Sequence, residues 1–431
     1  MFAVAGMHVL TVGRDGPDRL AGAGRLRLTV ETEATIGGCP SCGVVAVGHG
    51  RREHLLHDAP CLGMPVVLVW RKRLWRCREP TCPIGTFSET HDLARARAKL
   101  TGRAVAWAVR ALSWDDTTVS ALARHLGVDW HTLMDAVSEY AGDRVGDPAR
   151  LSGVSTVGVD EHIWRHGFRP GLERAVTGIV DLTRDQHGQL HARLLDVVPG
   201  RSGTVYARWL AAQPDRFTAG VQHAALDPFR GYANAIRDEL PDAVMVLDAF
   251  HVVKLGTQVM DEVRRRVQQD TLGHRGHKGD PLYRIRGLLR HGAENLTDRQ
   301  RAKLDTCLAL GDPDWEVTLA WQAYQRLRAI YHAPSAAAGK QPAEQIIATF
   351  PSCPIPEVAR LGRTLRAWRT QVLAYFHTAG VSNGGTEAIN LIIEKTRRVA
   401  HGFRNFHNYR LRILLAANGT RPYRPRPPTH A

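Results

Sequence analysis

The chain has 431 residues, 44% of them hydrophobic and 23% charged, which excludes global disorder and leaves room for about three domains. No stretch approaches the ~20 apolar residues of a membrane span, so no membrane partner is expected. The 57 Lys and Arg against 42 Asp and Glu, a net charge of +15, point to a polyanionic partner.

The opening residues, Met1 to His8, lack the basic segment of a secretory signal. Five of the seven cysteines (Cys39, Cys42, Cys61, Cys77 and Cys82) precede residue 83. An odd, clustered count without a signal argues against a disulfide framework and for a reducing cytoplasm. Residues 36–92 read as a finger. Cys39-x2-Cys42 sits on a Gly-rich turn, and the strand-like run from Val66 delivers Cys77, with Cys82 close behind. Two cysteine pairs at hairpin ends suit tetrahedral Zn²⁺ held by four thiolates, a closed and therefore structural site. With few residues for a core, the module is expected to draw much of its folding energy from the metal. Cys61 is left over as a packing residue.

Residues 94–145 read as helical. Leu122, Ala123 and Leu126 form one apolar face, Gly127 makes a turn, and Val128, Leu133 and Val137 resume the face. A small residue four positions before the glycine lets two helices cross closely, the pattern of a helix-turn-helix. The second helix would start near Asp129 and expose Trp130, His131 and Asp135 to DNA.

From residue 151 the periodicity changes. Strands are expected over Val154–Asp160, from Ala175, from Leu190, over Val221–Asp227 and over Ala243–Asp248, with helices after the third and fourth. The order βββαβαβ over 151–251 predicts a ribonuclease H-like mixed sheet flanked by helices. Residues 252–377 read as an all-helical insertion: Lys254–Leu272, Asp298–Leu310, Asp314–Tyr331 and Val358–His377 carry helical apolar spacing, with loops from Gly273 and from His332. Residues 380–415 return to the sheet domain with a final helix over Thr386–Arg398 and a basic extension. The Pro-rich, basic tail 416–431 is expected to be disordered. The fold class is thus multidomain, α+β and α/β.

Asp160 ends the first of these strands, Asp227 the fourth, and Glu387 lies in Ser382-Asn-Gly-Gly-Thr-Glu-Ala-Ile-Asn390 on the last helix. Three clustered carboxylates call for a divalent cation, Mg²⁺ or Mn²⁺, which suits phosphodiester displacement. Asp248 ends the fifth strand within Asp248-x-x-His251 and is a rival for the second carboxylate. Topology favours Asp227, because the fourth strand lies beside the first. The local motif favours Asp248. From Lys395 to Arg412 there are six basic residues and no acid, with Phe403, Phe406 and Tyr409 interleaved. Arg397, Arg398, Arg404 and Arg410 could hold phosphates there, while the aromatics either stack on bases or sit in the core.

These motifs in this order resemble the DDE transposases of bacterial insertion sequences, specifically the ISL3 group. The resemblance runs from about residue 39 to 415. It rests on the four cysteines, Asp58-Ala-Pro-Cys, the helix-turn-helix, Val159-Asp160-Glu161, Asp248-Ala-Phe-His251, Ser382–Asn390 and Gly402-Phe-Arg-Asn-Phe. It departs modestly at Asp58-Ala-Pro, where the family usually has Asp-Leu-Pro. The resemblance implies cut-and-paste transposition. The protein would bind terminal inverted repeats of double-stranded DNA, nick to expose 3′-hydroxyls, transfer strands into target DNA, and work as a homodimer or larger multimer on paired ends in the nucleoid. The alternative is a catalytically silent DNA-binding regulator on the same scaffold.

Overall fold

A computed structural model describes residues 4–16, 24–33, 35–165, 167 and 173–420. The chain divides into two compact units, Met1–Arg150 with Ile392–Ala431, and Leu151–Leu391.

The first unit opens with a sheet of β1 (Met7–Asp15), β2 (Arg25–Thr32), β3 (Val47–Cys61), β4 (Met64–Arg76) and β5 (Thr86–Ser88). Its order is β1-β2-β4-β3, with β5 on β4 and β2 parallel to β4. Strands β3 and β4 form a hairpin turned at Leu62 and Gly63, both at positive φ (51° and 75°), as a two-residue primed turn requires. Val66 to Trp70 of β4 are all buried, and Met7, Val30, Leu56, Leu68, Trp70 and Leu93 form a core. The cysteine module therefore lies in a sheet that has its own apolar centre. The alternation Arg25-Leu-Arg-Leu-Thr-Val is a legible strand signal for β2.

Residues 94–101, expected to be helical, are turns and an isolated bridge between His57 and Leu100. Helices α1 (Gly102–Trp114), α2 (Val119–Leu126) and α3 (Trp130–Gly146) follow, each N-capped by a side chain: Thr101, Thr118 and Asp129. Gly127, at φ 66°, closes α2 in the left-handed region where a Cβ would be strained. The Asp58 motif finds its use here. Asp58 is buried, and it accepts hydrogen bonds from Thr101 Oγ1 (2.7 Å) and Arg103 Nε (2.8 Å), tying β3 to the start of α1.

The second unit contains β6 (Thr156–Ile163), β7 (Ala175–Asp181), β8 (Arg193–Pro199), α4 (Gly203–Ala211), α5 (Asp215–Thr218), β9 (His223–Leu226), α6 (Arg230–Glu239) and β10 (Val244–Leu247). Strand order is β10-β9-β6-β7-β8. The β6–β7 and β7–β8 pairs are antiparallel, while β9 runs parallel to both β6 and β10.

Helices α7 (Ala249–Leu272), α8 (Pro281–Arg284), α9 (Asp298–Gly311), α10 (Glu316–Ala329), α11 (Ala336–Thr349), α12 (Pro356–Ala367) and α13 (Arg369–Ala374) follow and share one core with the sheet. Two expectations change. The presumed loop after His332 is largely α11: Ser335 caps it, and Gly339 lets it pass Ile330 O where a Cβ would come within 2.4 Å. The helix expected over 358–377 breaks at buried Trp368 (φ −111°, ψ 20°).

Helix α14 (Gly384–Val399) begins in the second unit, and from Ile392 onward belongs to the first. The basic extension holds a further helix, α15 (Phe406–Ala416). Its Leu411, Ile413, Leu414 and Leu415 are buried, and it packs on α1 and α3. Ala416 still belongs to α15, and the rest of the expected disordered tail, residues 421–431, lies outside the described residues.

Candidate active site and metal centres

Val159 of β6 pairs with Leu226 of β9, which pairs with Leu247 of β10. Asp160, Asp227 and Asp248 each follow one of these residues, so three adjacent parallel strands present three carboxylates in a row. Asp227 and Asp248 stand past the ends of β9 and β10, whereas Asp160, expected to end its strand, lies within β6, which runs on to Ile163 beside β7. Asp160 and Asp227 line a cavity of about 290 Å³ together with Glu161, Arg201, Phe229 and Tyr232. Burial, then the charge of Asp227, raise the Asp160 carboxyl to about 6. Glu387 adds to that effect from the exposed first turn of α14. One turn further on, Asn390 Nδ2 donates to Asp160 Oδ2 at 2.6 Å.

The middle carboxylates differ in what their oxygens already do. Asp248 is 1% exposed and caps α7. Its Oδ1 accepts from Asn383 N (2.8 Å), and its Oδ2 accepts from His251 N and stands 3.0 Å from His251 Nδ1. Asp227 Oδ1 also lies 2.9 Å from that nitrogen, yet it is buried without a donor aimed at it. A single Nδ1 proton cannot serve both acids in good geometry, and Asp248 has it. Burial opposes charge on His251, but the carboxylates on either side push it up to about 10. Asp227, Asp248 and His251 present ligand atoms within 4.8 Å of one another. The orphaned oxygen on Asp227 and the strained ionisation of Asp160 both fit a divalent cation here.

The helix carrying Glu387 is seated by groups that the sequence reading passed over. Asn383 Nδ2 donates to Val159 O (3.1 Å), and its carbonyl starts α14. At Gly158 a Cβ would meet Thr386 Oγ1 at 2.3 Å and Asn383 Oδ1 at 2.5 Å, so only glycine lets the Ser382-Asn-Gly-Gly-Thr turn close on β6. Arg201 faces Glu161 across the cavity mouth at 3.9 Å. The glycines at 200, 203 and 231 were the available signal for that wall: Gly203 and Gly231 touch where α4 crosses α6.

In the first unit Cys39, Cys42, Cys77 and Cys82 present four sulfurs within 4.8 Å of one another, with Cys39–Cys82 at 3.7 Å and Cys42–Cys77 at 3.5 Å. Tetrahedral zinc with bonds of about 2.3 Å needs sulfurs about 3.8 Å apart. The backbone N–H groups of Cys42 and Ser41 hold Cys39 down to about 6. The Val44 amide favours the Cys42 thiolate too, but desolvation and the neighbouring sulfurs push that thiol up to about 12. Backbone donors aimed at sulfur, and thiolates that cannot coexist uncompensated, are the chemistry of a cation site. Cys61 is exposed and separate from the cluster.

The residues expected to meet DNA fare unequally. Trp130 is half-buried, edge-on to exposed His131 at 5.1 Å. The rest of the exposed surface of α3 carries Asp135, Glu139, which pairs with Arg95, Asp143 and Arg144. Arg397 and Arg398 are both engaged by Glu394, one residue before the acid-free run. Arg404 is exposed and Arg410 half-buried, while Arg412 is buried and donates to Leu112 O and Thr117 O. Tyr409 is a core residue, with Phe403 and Phe406 packed on it at 5.3 and 5.9 Å.

Comparison with known proteins adds a family. The ISL3 family model described as "Transposase" matches residues 157–413, and one for the zinc-finger of transposase IS204/IS1001/IS1096/IS1165 matches residues 37–82. The transposase for insertion sequence element IS1557 of Mycobacterium tuberculosis is 27% identical over 341 residues, covering 74% of this chain and 72% of that protein. The transposase for IS1001 of Bordetella parapertussis is 25% identical over 395 residues, covering 88% and 89%. No helix among the described residues is long and apolar enough to cross a membrane.

Proposed function

The chain belongs to the ISL3 transposase family, and from that premise we propose that it cleaves and joins DNA strands at the ends of an insertion sequence. The second unit is read as a ribonuclease H-like catalytic domain. Its support is a strand order of β10-β9-β6-β7-β8 with only β7 antiparallel to its neighbours. The observation that carries the reading is that Asp160 and Asp227 directly follow the last paired residues of β6 and β9 and line one cavity, with Glu387 close enough for its charge to act on Asp160.

In this reading Asp160, Asp227 and Glu387 hold Mg²⁺ or Mn²⁺. The cation supplies Lewis-acid activation of the attacking oxygen and stabilisation of the leaving one. Asn390 orients Asp160 through its 2.6 Å hydrogen bond. Asp248 and His251 act as positioning residues: the first anchors Asn383 and the start of α14, and the second, held by Asp248, sets its charged ring 2.9 Å from Asp227 Oδ1. Arg201, at the mouth, is suited to a phosphate oxygen of the entering strand. The four cysteines hold structural Zn²⁺, α2 and α3 form a helix-turn-helix for the inverted repeats, and the active form is a multimer on paired DNA ends in the nucleoid.

Metal-dependent nicking of duplex DNA carrying the element's own ends tests this. Asp160→Asn, Asp227→Asn and Glu387→Gln should each abolish cleavage while sparing binding, a loss of about 3 kcal/mol or more, at least a hundredfold in rate. Asp248→Asn should slow cleavage without ending it. Cysteine variants assayed with thiophilic Mn²⁺ discriminate the two rivals, and rescue at 248 but not at 227 would make Asp248 the ligand. A wild-type protein that binds the ends and never nicks them would favour the silent regulator instead.

A further inference from the structure

Strands β3 and β4 set like charges directly opposite one another, with Arg51 against Arg73 and Arg52 against Lys72. Such cross-strand pairs are destabilising unless something neutralises them. The first pair is met by carboxylates within the protein: Arg51 meets Glu31, shared with Arg71, at 3.1 Å, and Arg73 lies 3.9 Å from Glu89 and donates to Thr32 Oγ1 and Glu33 O. The second pair is not. Lys72 is 5% exposed, its ammonium sits 4.0 Å over the Trp70 ring, and no carboxylate reaches ion-pair distance of it or of Arg52 among the described residues. Burial, then the charge of Arg52, pull the Lys72 pKa below its ordinary value against the more distant charge of Glu89.

Both cations face a cleft of about 540 Å³ between this hairpin and residues 88–97. Arg95 and Arg97 complete its basic lining, with Ser88 and Thr90 offering hydroxyls. Arg95 is held at the rim by Glu139. Arg97 is exposed, without an acidic partner among the described residues, and kept in the left-handed region at φ 61°. Two acids share the cleft. Glu89 is occupied by Thr32 Oγ1 (2.6 Å), Arg73 N (2.9 Å) and Trp70 Nε1 (3.1 Å), and Asp92 is solvent-exposed.

We infer that this cleft is a phosphodiester-binding site, which seats the DNA backbone on Arg52, Lys72 and Arg97 of the cysteine-bearing sheet. A buried ammonium with no carboxylate at ion-pair distance, opposite a second cation and open to a cavity, is a receptor for an anion the protein does not carry. The identity of that anion as DNA rests on the transposase reading. The site fixes register without reading sequence.

The test is fluorescence anisotropy of the full chain with labelled random and end-sequence duplexes over a KCl series. Arg52→Gln combined with Lys72→Met should weaken binding to both duplexes alike, by about tenfold, and reduce the slope of log K against log salt by one to two. Methionine keeps the apolar stem over Trp70, so the melting temperature should hold or rise as the like-charged pair is relieved. Arg51→Gln, which removes a cation paired with Glu31 and not lining the cleft, should leave the slope unchanged. An unchanged slope in the folded double variant overturns the inference, even if the wild type cleaves DNA. A reduced slope in a protein that never cleaves leaves the site standing and sinks the transposase reading instead. Pyrophosphate at constant ionic strength should displace DNA no better than KCl. Melting protection of the wild type by pyrophosphate, absent from the double variant, would overturn DNA in favour of a small phosphate ligand.

Discussion

At the scale of single residues, charge alone misleads in the C-terminal basic run, because the decisive acid lies just outside it. Glu394 accepts from Arg397 Nε and Nη2 and from Arg398 Nε, and Arg397, then Arg398, hold its carboxyl down to about 2. A depressed carboxylate pKa contributes stability that is present above its unfolded value, about 4.3, and is lost as pH falls toward 2. The Glu394 side chain is 37% exposed, so solvent screening keeps the contribution to about 1 kcal/mol or less. Thermal melts of Glu394→Gln and wild type should therefore differ by a small, salt-sensitive margin at pH 7 and converge by about pH 2. A difference that persists in acid would assign the effect to packing. The glycines at 158 and 203 make the complementary point that an absent side chain can determine where a helix sits.

At the scale of elements, the cysteine-bearing module departs most from its sequence reading. The expected dependence on metal followed from counting residues 36–92 alone. With β1 and β2 added, Trp70, Leu56 and Leu68 are each 0% exposed in a core that owes nothing to the cysteines. Metal removal should accordingly be a local event. A chelator strong enough to strip zinc, or Cys77→Ser, should abolish bound metal and speed amide exchange in residues 37–46 and 77–86. The buried fluorescence of Trp70 should stay, and unfolding of the whole sheet without metal would restore the metal-driven account.

At the scale of the whole molecule, the two compact units do not follow the chain. The first unit is completed by α15, whose four buried aliphatics cover α1 and α3. Each such side chain contributes about 1.5–3 kcal/mol on burial, so their sum is comparable with the roughly 5–15 kcal/mol that holds a domain folded. A fragment ending at residue 150 should aggregate or melt at low temperature. The same fragment joined by a flexible linker to residues 392–420 should give a cooperative transition, and a stable fragment without them would show α15 to be dispensable.

Local chemistry made much of this protein legible from its sequence. Cys-x2-Cys facing Cys-x4-Cys, capping residues ahead of apolar helices, and aspartates ending β-branched runs are short-range signals, so the cysteine cluster, the three helices at 102–146 and the strand sequence from β6 to β10 were all readable. The choice between Asp227 and Asp248 was not. Both end apolar strands, and what distinguishes their surroundings, the Asn383 N–H on Asp248 Oδ1, comes from a segment 135 residues further along the chain. The same holds for the cleft around Lys72 and for α15. Whether a cation is neutralised, or an apolar face covered, depends on what a distant segment brings to it. That pairing is decided by packing, which no window of sequence contains.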